Sequence, residues 1–409
     1  MNILIAPDSF KESLEAIEVC EAIKAGFSNV FPEAAYTLLP LADGGEGTSA
    51  VLSYVLDGQW RQIQVHDPLM RPITSKYFLT ADGIAVIEIA EACGLHLLTK
   101  DERNPLIASS FGVGEMIVDA IDQGATNILI GLGGSATNDA GAGMLQALGV
   151  KLQDAKDTAL KSGGSNLSQL HSIEHQALYN LLSDVTITVA CDVTSPLCGP
   201  TGASHVFGPQ KGATPEQVQS LDNALGIFAQ VTNAHNISKT DCREFEGAGA
   251  AGGLGFGLMA YCNAKLKSGF DTIADIVELD KHLALADVVI TGEGMFDAQT
   301  AMGKVASGVA KCAKQHNVPV IAICGAVDRP NELSAATTND IKSASIDESP
   351  LLTSLQFETD LFDIVVPSLQ KLDSLEQVFA NANRNVAHTA YQIATALKLG
   401  KNIAAIKSR

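Results

Sequence analysis

A short apolar run, Asn127-Ile128-Leu129-Ile130, leads straight into Gly131-Leu132-Gly133-Gly134-Ser135-Ala136-Thr137-Asn138-Asp139-Ala140-Gly141-Ala142-Gly143. The run is brief, branched and bounded by glycine, which predicts a buried strand. Met144, Leu145 and Leu148 then share one helical face, with Gly149 as a stop. Strand, glycine-rich turn and helix in succession restrict the chain to α/β architectures. They also suit an anion, because glycines let backbone N–H groups crowd an oxyanion and a helix N-terminus adds partial positive charge. The same residues equally suit a structural turn: Ser135, Thr137, Asn138 and Asp139 are all good N-caps. No Gly-Lys-Ser/Thr closes the stretch, so it is not a Walker A loop, and Ala136 stands where a Gly-x-Gly-x-x-Gly pattern needs its third glycine.

Other strand ends deliver charged loops. Asn2 to Ala6 reads as a strand ended by Pro7-Asp8-Ser9-Phe10-Lys11-Glu12, and a helix follows with Ala16, Val19, Cys20, Ile23 and Phe27 on one face. Ser9 and Glu12 fit a capping box. Lys11 falls in the first turn, where a cation opposes the helix dipole unless an anion binds beside it. Tyr36 to Pro40 leads to Ala42-Asp43-Gly44-Gly45-Glu46-Gly47-Thr48. Asp43 and Glu46 read either as turn and first-turn acids or as ligands for Mg²⁺ or a substrate hydroxyl. Asp192 follows the run Val185 to Ala190, and it too is either a turn former or a group for chemistry. Ala286 to Thr291 delivers Glu293, Asp297 and Lys304. Val305 after Lys304 and Ala298 exclude a Walker A loop there, yet Lys304 is well placed for a phosphate. Open α/β sheets bind ligands at such carboxyl ends. The glycines between Gly247 and Gly257 permit tight helix packing or close backbone approach to a ligand.

With 409 residues, the chain exceeds the ~250–300 at which single cores divide, so two domains are expected. Arg61 to His66, Ser75 to Leu79 and Ala85 to Ala90 alternate in polarity and predict antiparallel strands of an inserted domain. The division reads as 1–60, 106–190 and 282–409 for a Rossmann-like domain, and 61–105 with 191–281 for the insertion. A net charge of −19 argues against nucleic acid and anionic membrane as partners. Eight cysteines without a Cys-x-x-Cys pair, and no leading signal segment, predict reduced thiols in the cytoplasm. No apolar stretch reaches the ~18–20 residues of a membrane span. His171 and His175 have the spacing of a zinc pair, but in a polar segment that suits an exposed helix face better.

Taken in order, PDSFK, LADGGEGT, DPLxRP, RNPL, GLGGSATNDAGAGMLQALG, ACDVTSPLCGPTGASHVFGPQKGAT, GAGAAGGLG and TGEGxxDxQTxxGK resemble the bacterial glycerate kinase family over nearly the whole chain. Each motif is weak alone; the ordered set is specific. The resemblance implies a Rossmann-like parallel-sheet domain with a second α/β domain inserted and an active-site cleft between them. It implies ATP-dependent phosphorylation of D-glycerate, giving 2-phosphoglycerate, with 3-phosphoglycerate as the alternative product; a homodimer is compatible with it. The chain departs from the family pattern at Glu12 and Met70, where glycine is usual. It departs again at Val113 for threonine, Met295 for arginine and Ala306 for proline.

In such a kinase, Gly133, Gly134, Ser135, Thr137, Asn138 and Lys304 would handle the ATP phosphates. Mg²⁺ would bridge to Asp192 or Asp297, with Asp43 and Glu46 as rivals. Asp192 would orient or deprotonate the attacking hydroxyl, with Lys11 and Asp43 beside it. Arg71, Lys11 or Lys211 would meet the substrate carboxylate, near Asp8 and Ser9. Two rival functions remain from the residues alone. A nicotinamide-dependent 2-hydroxyacid oxidoreductase would need a better glycine fingerprint and an acid at a strand end about 20 residues on. A non-catalytic sugar-acid binding protein would not gather acids at strand ends, because they repel an anionic ligand unless a metal intervenes.

Overall fold

The computed structural model describes residues 1–238, 240–296, 304–327, 361–371 and 373–407. Its principal elements follow the apolar runs. β1 (Asn2–Ile5) leads through a turn to α1 (Ala16–Ser28) and β2 (Ala35–Leu38). Next come α2 (Thr48–Val55), β3 (Gly58–His66), β4 (Pro72–Thr80) and β5 (Ile84–Glu88). α3 (Phe111–Asp122), β6 (Asn127–Gly131) and the short α4 (Ala142–Ala147) precede β7 (Thr186–Ala190). α5 (Pro215–Ala234), α6 (Ala250–Cys262), β8 (Lys265–Lys267) and α7 (Gly269–Ile276) follow. The chain then forms β9 (Val288–Thr291), α8 (Val305–Gln315), β10 (Val320–Cys324), β11 (Ile364–Pro367) and α9 (Ala382–Lys407).

Two units result: Met1–Ala42 with Ile273–Arg409, and Asp43–Thr272. The first holds a five-stranded parallel sheet in the order β11-β10-β9-β1-β2. Its core joins Ile3 and Ile5 of β1, Ile290, Ile321 and Ile323 of neighbouring strands, and Val19, Ile23 and Phe27 of α1. Parallel strands covered by helices on their faces need such unbroken apolar runs. The second unit holds a six-stranded mixed sheet, β8-β7-β6-β5-β4-β3. β5 to β8 run parallel, and β4 and β3 extend that sheet as an antiparallel hairpin. A separate core fills it, built from residues such as Ile87, Ile130, Val189, Met116, Phe228 and Phe256. Among the described residues, no helix is long and apolar enough to cross a membrane.

The expected division of the chain is corrected by this pairing. Segment 106–190 is expected in one domain with the first strand, yet β6 pairs with β5 and β7, and none of these joins β1. The reason is physical. A buried parallel strand carries the same apolar signature in either sheet, and the antiparallel hairpin is an edge of the mixed sheet, not a domain of its own.

The helix start near residue 9 is also corrected. Ser9 turns its N–H to its neighbour, Asp8 Oδ1, at 2.7 Å, while the Glu15 N–H at the real start of α1 donates to Glu18 at 2.9 Å. Phe10 and Leu14 close a tight turn in between, and Glu12 sits there at φ +66°. Met70 has φ +61° in the turn before β4. Both are positions where the family pattern has glycine, and both adopt the left-handed backbone that glycine tolerates best.

The glycines of 247–257 pack. Ala251, Gly252 and Gly253 break α6 with positive φ, and the Gly252 carbonyl accepts the Ala140 N–H at 3.0 Å. A Cβ on Gly252 would overlap the Thr137 carbonyl. The run is a close fit between α6 and the glycine loop after β6.

Candidate active site

The glycine loop spends most of its polar groups internally. Asp139 is fully buried, and its carboxylate accepts the Ser110 N–H and hydroxyl at 2.9 Å each, the Gly141 N–H at 3.1 Å and the Gly143 N–H at 3.2 Å. Burial still holds its carboxyl above the ordinary aspartate range, against the pull of those bonds. The N-terminus of α4 is therefore occupied by the chain's own carboxylate. Asn138 is fully buried and donates to Ser204 at 2.9 Å. Lys211, 2% exposed, donates to Ser135 Oγ at 2.8 Å and to the Thr137 carbonyl at 2.7 Å. Burial pulls its ammonium down to about 8, with Cys93 and Asp139 opposing. So the Ser135 hydroxyl, the Thr137 carbonyl, the Asn138 amide N–H and the Lys211 ammonium are engaged inside the fold, whereas Thr137 Oγ1 and Asn138 Oδ1 are buried with no hydrogen-bond partner among the described residues. Only the Gly133-Gly134 part of the loop reaches the surface.

Arg71 is likewise committed. Its Nε donates to buried Asp67 at 2.5 Å and its Nη1 to Glu102 at 2.7 Å. Asp67 and then Glu102 hold the guanidinium still more firmly protonated. The pair fixes the turn between β3 and β4, so its placement favours a structural role over reception of a substrate carboxylate.

An open constellation forms instead at the parallel strand ends of the second unit. The loop Asp43–Gly47 lies across the ends of β6 and β7. A Cβ on Gly131 would meet the Gly44 carbonyl at 2.6 Å, and one on Gly133 would meet Gly45 at 3.2 Å. Asp192, just beyond β7, is more than a third exposed and accepts the Gly269 N–H at 3.0 Å. Gly269 is required: a Cβ there would overlap the Asp43 carbonyl and lie 3.0 Å from Asp192 Oδ2. Packing around Asp192 raises its carboxyl above the ordinary range. The Gly269 bond opposes this, and the nearby Asp43 carboxylate raises it further. Asp43 and Asp192 are thus brought together as two carboxylates with a helix N–H. Glu46 is exposed on the same loop.

The first unit gathers its own strand-end groups. The Asp8 N–H donates to the Gly292 carbonyl at 2.9 Å, and Gly294 lies against Phe10 and Lys11. Lys11 is exposed; it precedes α1 by several residues instead of lying in its first turn. Lys304 lies immediately before α8, its Nζ 3.8 Å from buried Glu293. Met295 is 47% exposed and brings no charge where the family pattern has arginine. Asp297 lies outside the described residues.

Sequence reasoning overlooked Glu88 and Gly269. Glu88 had a readable signal, since an acid closing an apolar strand is the same pattern that picked out Asp192. Gly269 carried none, because its role depends on a contact with a distant loop.

The comparisons with known proteins agree with this architecture. A family model described as the glycerate kinase family matches residues 3–354. The chain is 45% identical to a glycerate kinase of Bacillus subtilis (strain 168), over 98% of this chain and 99% of that protein. It is 42% identical to a glycerate 2-kinase of Escherichia coli (strain K12), again over 98% and 99%. A crystal structure of a Salmonella typhimurium LT2 protein assigned as glycerate kinase 2 superposes with a TM-score of 0.84 at 43% identity, covering 98% and 99% of the two chains. The chain belongs to the glycerate kinase family and is a kinase.

Proposed function

We propose that the protein transfers a phosphoryl group from ATP to D-glycerate, and that the product is 2-phosphoglycerate. The observation that carries the reading is the meeting of Asp43, Asp192 and the Gly269 N–H at the parallel strand ends. Phosphoryl transfer needs positioned charge more than covalent chemistry. Asp192, exposed and held by one backbone donor, orients the attacking hydroxyl and accepts its proton as the new bond forms. The 2-phosphoglycerate product is supported by the name of the Escherichia coli relative.

The residues fit a divalent cation. Asp192 is raised in part by its Asp43 neighbour, and a hard cation with oxygen ligands would relieve that repulsion. Mg²⁺ held by Asp192 and Asp43 would neutralise phosphate charge, with its other ligands supplied by water and phosphate oxygens, since the described residues gather no third acid there. The backbone of Gly133 and Gly134 remains the part of the glycine loop suited to phosphate oxygens. In the first unit, Lys11 and Lys304 are the cations assigned to the anionic groups of the substrates, with Asp8 and Ser9 on the same turn as Lys11.

Incubation with ATP, Mg²⁺ and D-glycerate tests the reading, with ³¹P and ¹³C NMR of the product. ADP with phosphate on the C2 oxygen is expected. Phosphate on the C3 oxygen overturns the regiochemistry. No ADP, with NADH formed when NAD is supplied, overturns the kinase assignment for this substrate.

A further inference from the structure

The loop that carries Asp43 is fastened by a carboxylate that the proposed chemistry does not use. Glu88 ends β5 and is only 9% exposed. α2 begins directly after Gly47, whose φ of +90° leaves the helix without a side-chain cap of its own. A helix start presents N–H groups that need acceptors. Glu88 supplies them from a neighbouring strand. Its Oε2 accepts the Gly47 N–H at 3.1 Å, and its Oε1 accepts the Ser49 N–H at 2.8 Å and the Ser49 hydroxyl. All three bonds go to one turn of chain, the turn that continues from Asp43-Gly44-Gly45-Glu46. From the other side, Gly131 at the end of β6 and Gly133 in the loop beyond it lie against the same segment, and Glu88 is the register partner of Gly131. At the free end of the loop, Asp43 Oδ1 accepts the Gly45 N–H at 3.0 Å. The loop is therefore gripped at its helical end by Glu88 and seated along its length on glycine backbone.

We propose that Glu88 is a positioning residue for phosphoryl transfer: by capping α2 it holds the Asp43–Gly47 loop, and so the Asp43 carboxylate, in working orientation. The proposal rests on the reading of Asp43 given above. A cap that served stability alone would lower the unfolding temperature and leave the turnover of the folded protein unchanged. A positioning cap lowers turnover in protein that is fully folded.

The test uses the full chain with D-glycerate and MgATP. It compares Glu88→Ala, Glu88→Gln, Asp43→Asn and the double variant Asp43→Asn/Glu88→Ala, with thermal unfolding as a check on folding. Misplacement of a reacting group by about 1 Å costs on the order of 100-fold, so Glu88→Ala is expected to lower kcat by about 30-fold or more with KM for ATP little changed. Glu88→Gln keeps one acceptor oxygen for Ser49 but turns an amide N–H toward the Gly47 N–H, so it is expected to recover only part of that loss. The double variant should turn over no more slowly than Asp43→Asn alone, because both changes act on one group. Wild-type kcat in folded Glu88→Ala, or strictly multiplicative losses in the double variant, overturns the proposal. Should Glu88→Ala fail to fold, Ser49→Ala removes one of the three bonds and is expected to lower kcat several-fold; unchanged kcat there overturns it equally. Normal turnover in Asp43→Asn overturns the assignment of Asp43 and this proposal with it. Loss in Asp43→Asn alongside normal turnover in Glu88→Ala overturns this proposal alone.

Discussion

Two glycine-rich loops of the second unit lie side by side and use their polar groups in opposite ways. In the loop after β6, the Asp139 carboxylate, the Asn138 amide N–H, the Thr137 carbonyl and the Ser135 hydroxyl are buried and answered by Ser110, Ser204 and Lys211, while Thr137 Oγ1 and Asn138 Oδ1 find no partner among the described residues. In the loop before α2, Asp43 is half-exposed, Glu46 is exposed, and Asp43 faces a second acid, Asp192. The first loop is the more conspicuous in sequence. Its polarity, however, goes into building a turn that must be buried, and buried polar groups cost free energy unless they are paired. The second loop leaves like charges close together, an arrangement that pairing within the fold would have removed. Unrelieved charge, more than glycine density, marks the place where a ligand is expected.

The sharpest way to break this contrast is to change both loops and compare what is lost. Asp192→Asn is expected to lower kcat by about 10²–10⁴-fold, the usual range for a positioned acid or base, with little change in thermal unfolding. Steady-state kinetics beside calorimetry decides it; near-normal turnover removes Asp192 from the chemistry. Asp139→Asn should do the reverse. It sets an amide donor among four donors in a buried site, which is expected to cost about 3–5 kcal/mol of stability by denaturant unfolding. If the folded variant instead loses turnover with stability intact, the loop after β6 is the working one.

Lys211 separates the loops through pH. Its folded value, about 8, lies below the ordinary lysine value of 10.5. The unfolded chain therefore binds the extra proton between those two pH values, so stability from this residue rises with pH across that window. The cost of burying the cation is present in full below about 8. Relative to Lys211→Met, the wild type is expected to gain on the order of 3 kcal/mol between pH 8 and 10.5. A flat difference in denaturation midpoints would show that the ammonium is not buried as described. The smallest effect belongs to the two left-handed side chains: Glu12→Gly and Met70→Gly are each expected to raise stability by about 1 kcal/mol, readable as a small rise in Tm.

The strands were legible because β1, β6, β9 and β10 are short apolar runs and β7 sets Ile187 and Val189 between threonines, and the acids at their ends were legible for the same reason. Sheet membership was not. Val, Ile and Leu say that a strand is covered, and nothing about which neighbour covers it. Glu12 and Met70 were visible as departures from a glycine pattern, and their positive φ explains the pattern. The resemblance offers Lys211 for the substrate carboxylate, and in the fold its ammonium is met by a carbonyl and a hydroxyl. Such a partner, Thr137 or Ser135, lies more than seventy residues away in sequence, beyond any local pattern.

The contact of Gly269 with the Asp43 carbonyl has a consequence for the inheritance of the chain. Asp43 is the first residue of the second unit and Gly269 lies three residues before its last. The segment therefore begins and ends at one spot, like a loop of thread drawn tight at its knot. A piece with adjoining ends can be spliced into a host, or lifted from it, with little strain on either. Here Asp43 and Gly269 stand at the two ends and meet at Asp192, so a cut that freed the segment would fall beside the residues to which the chemistry is assigned.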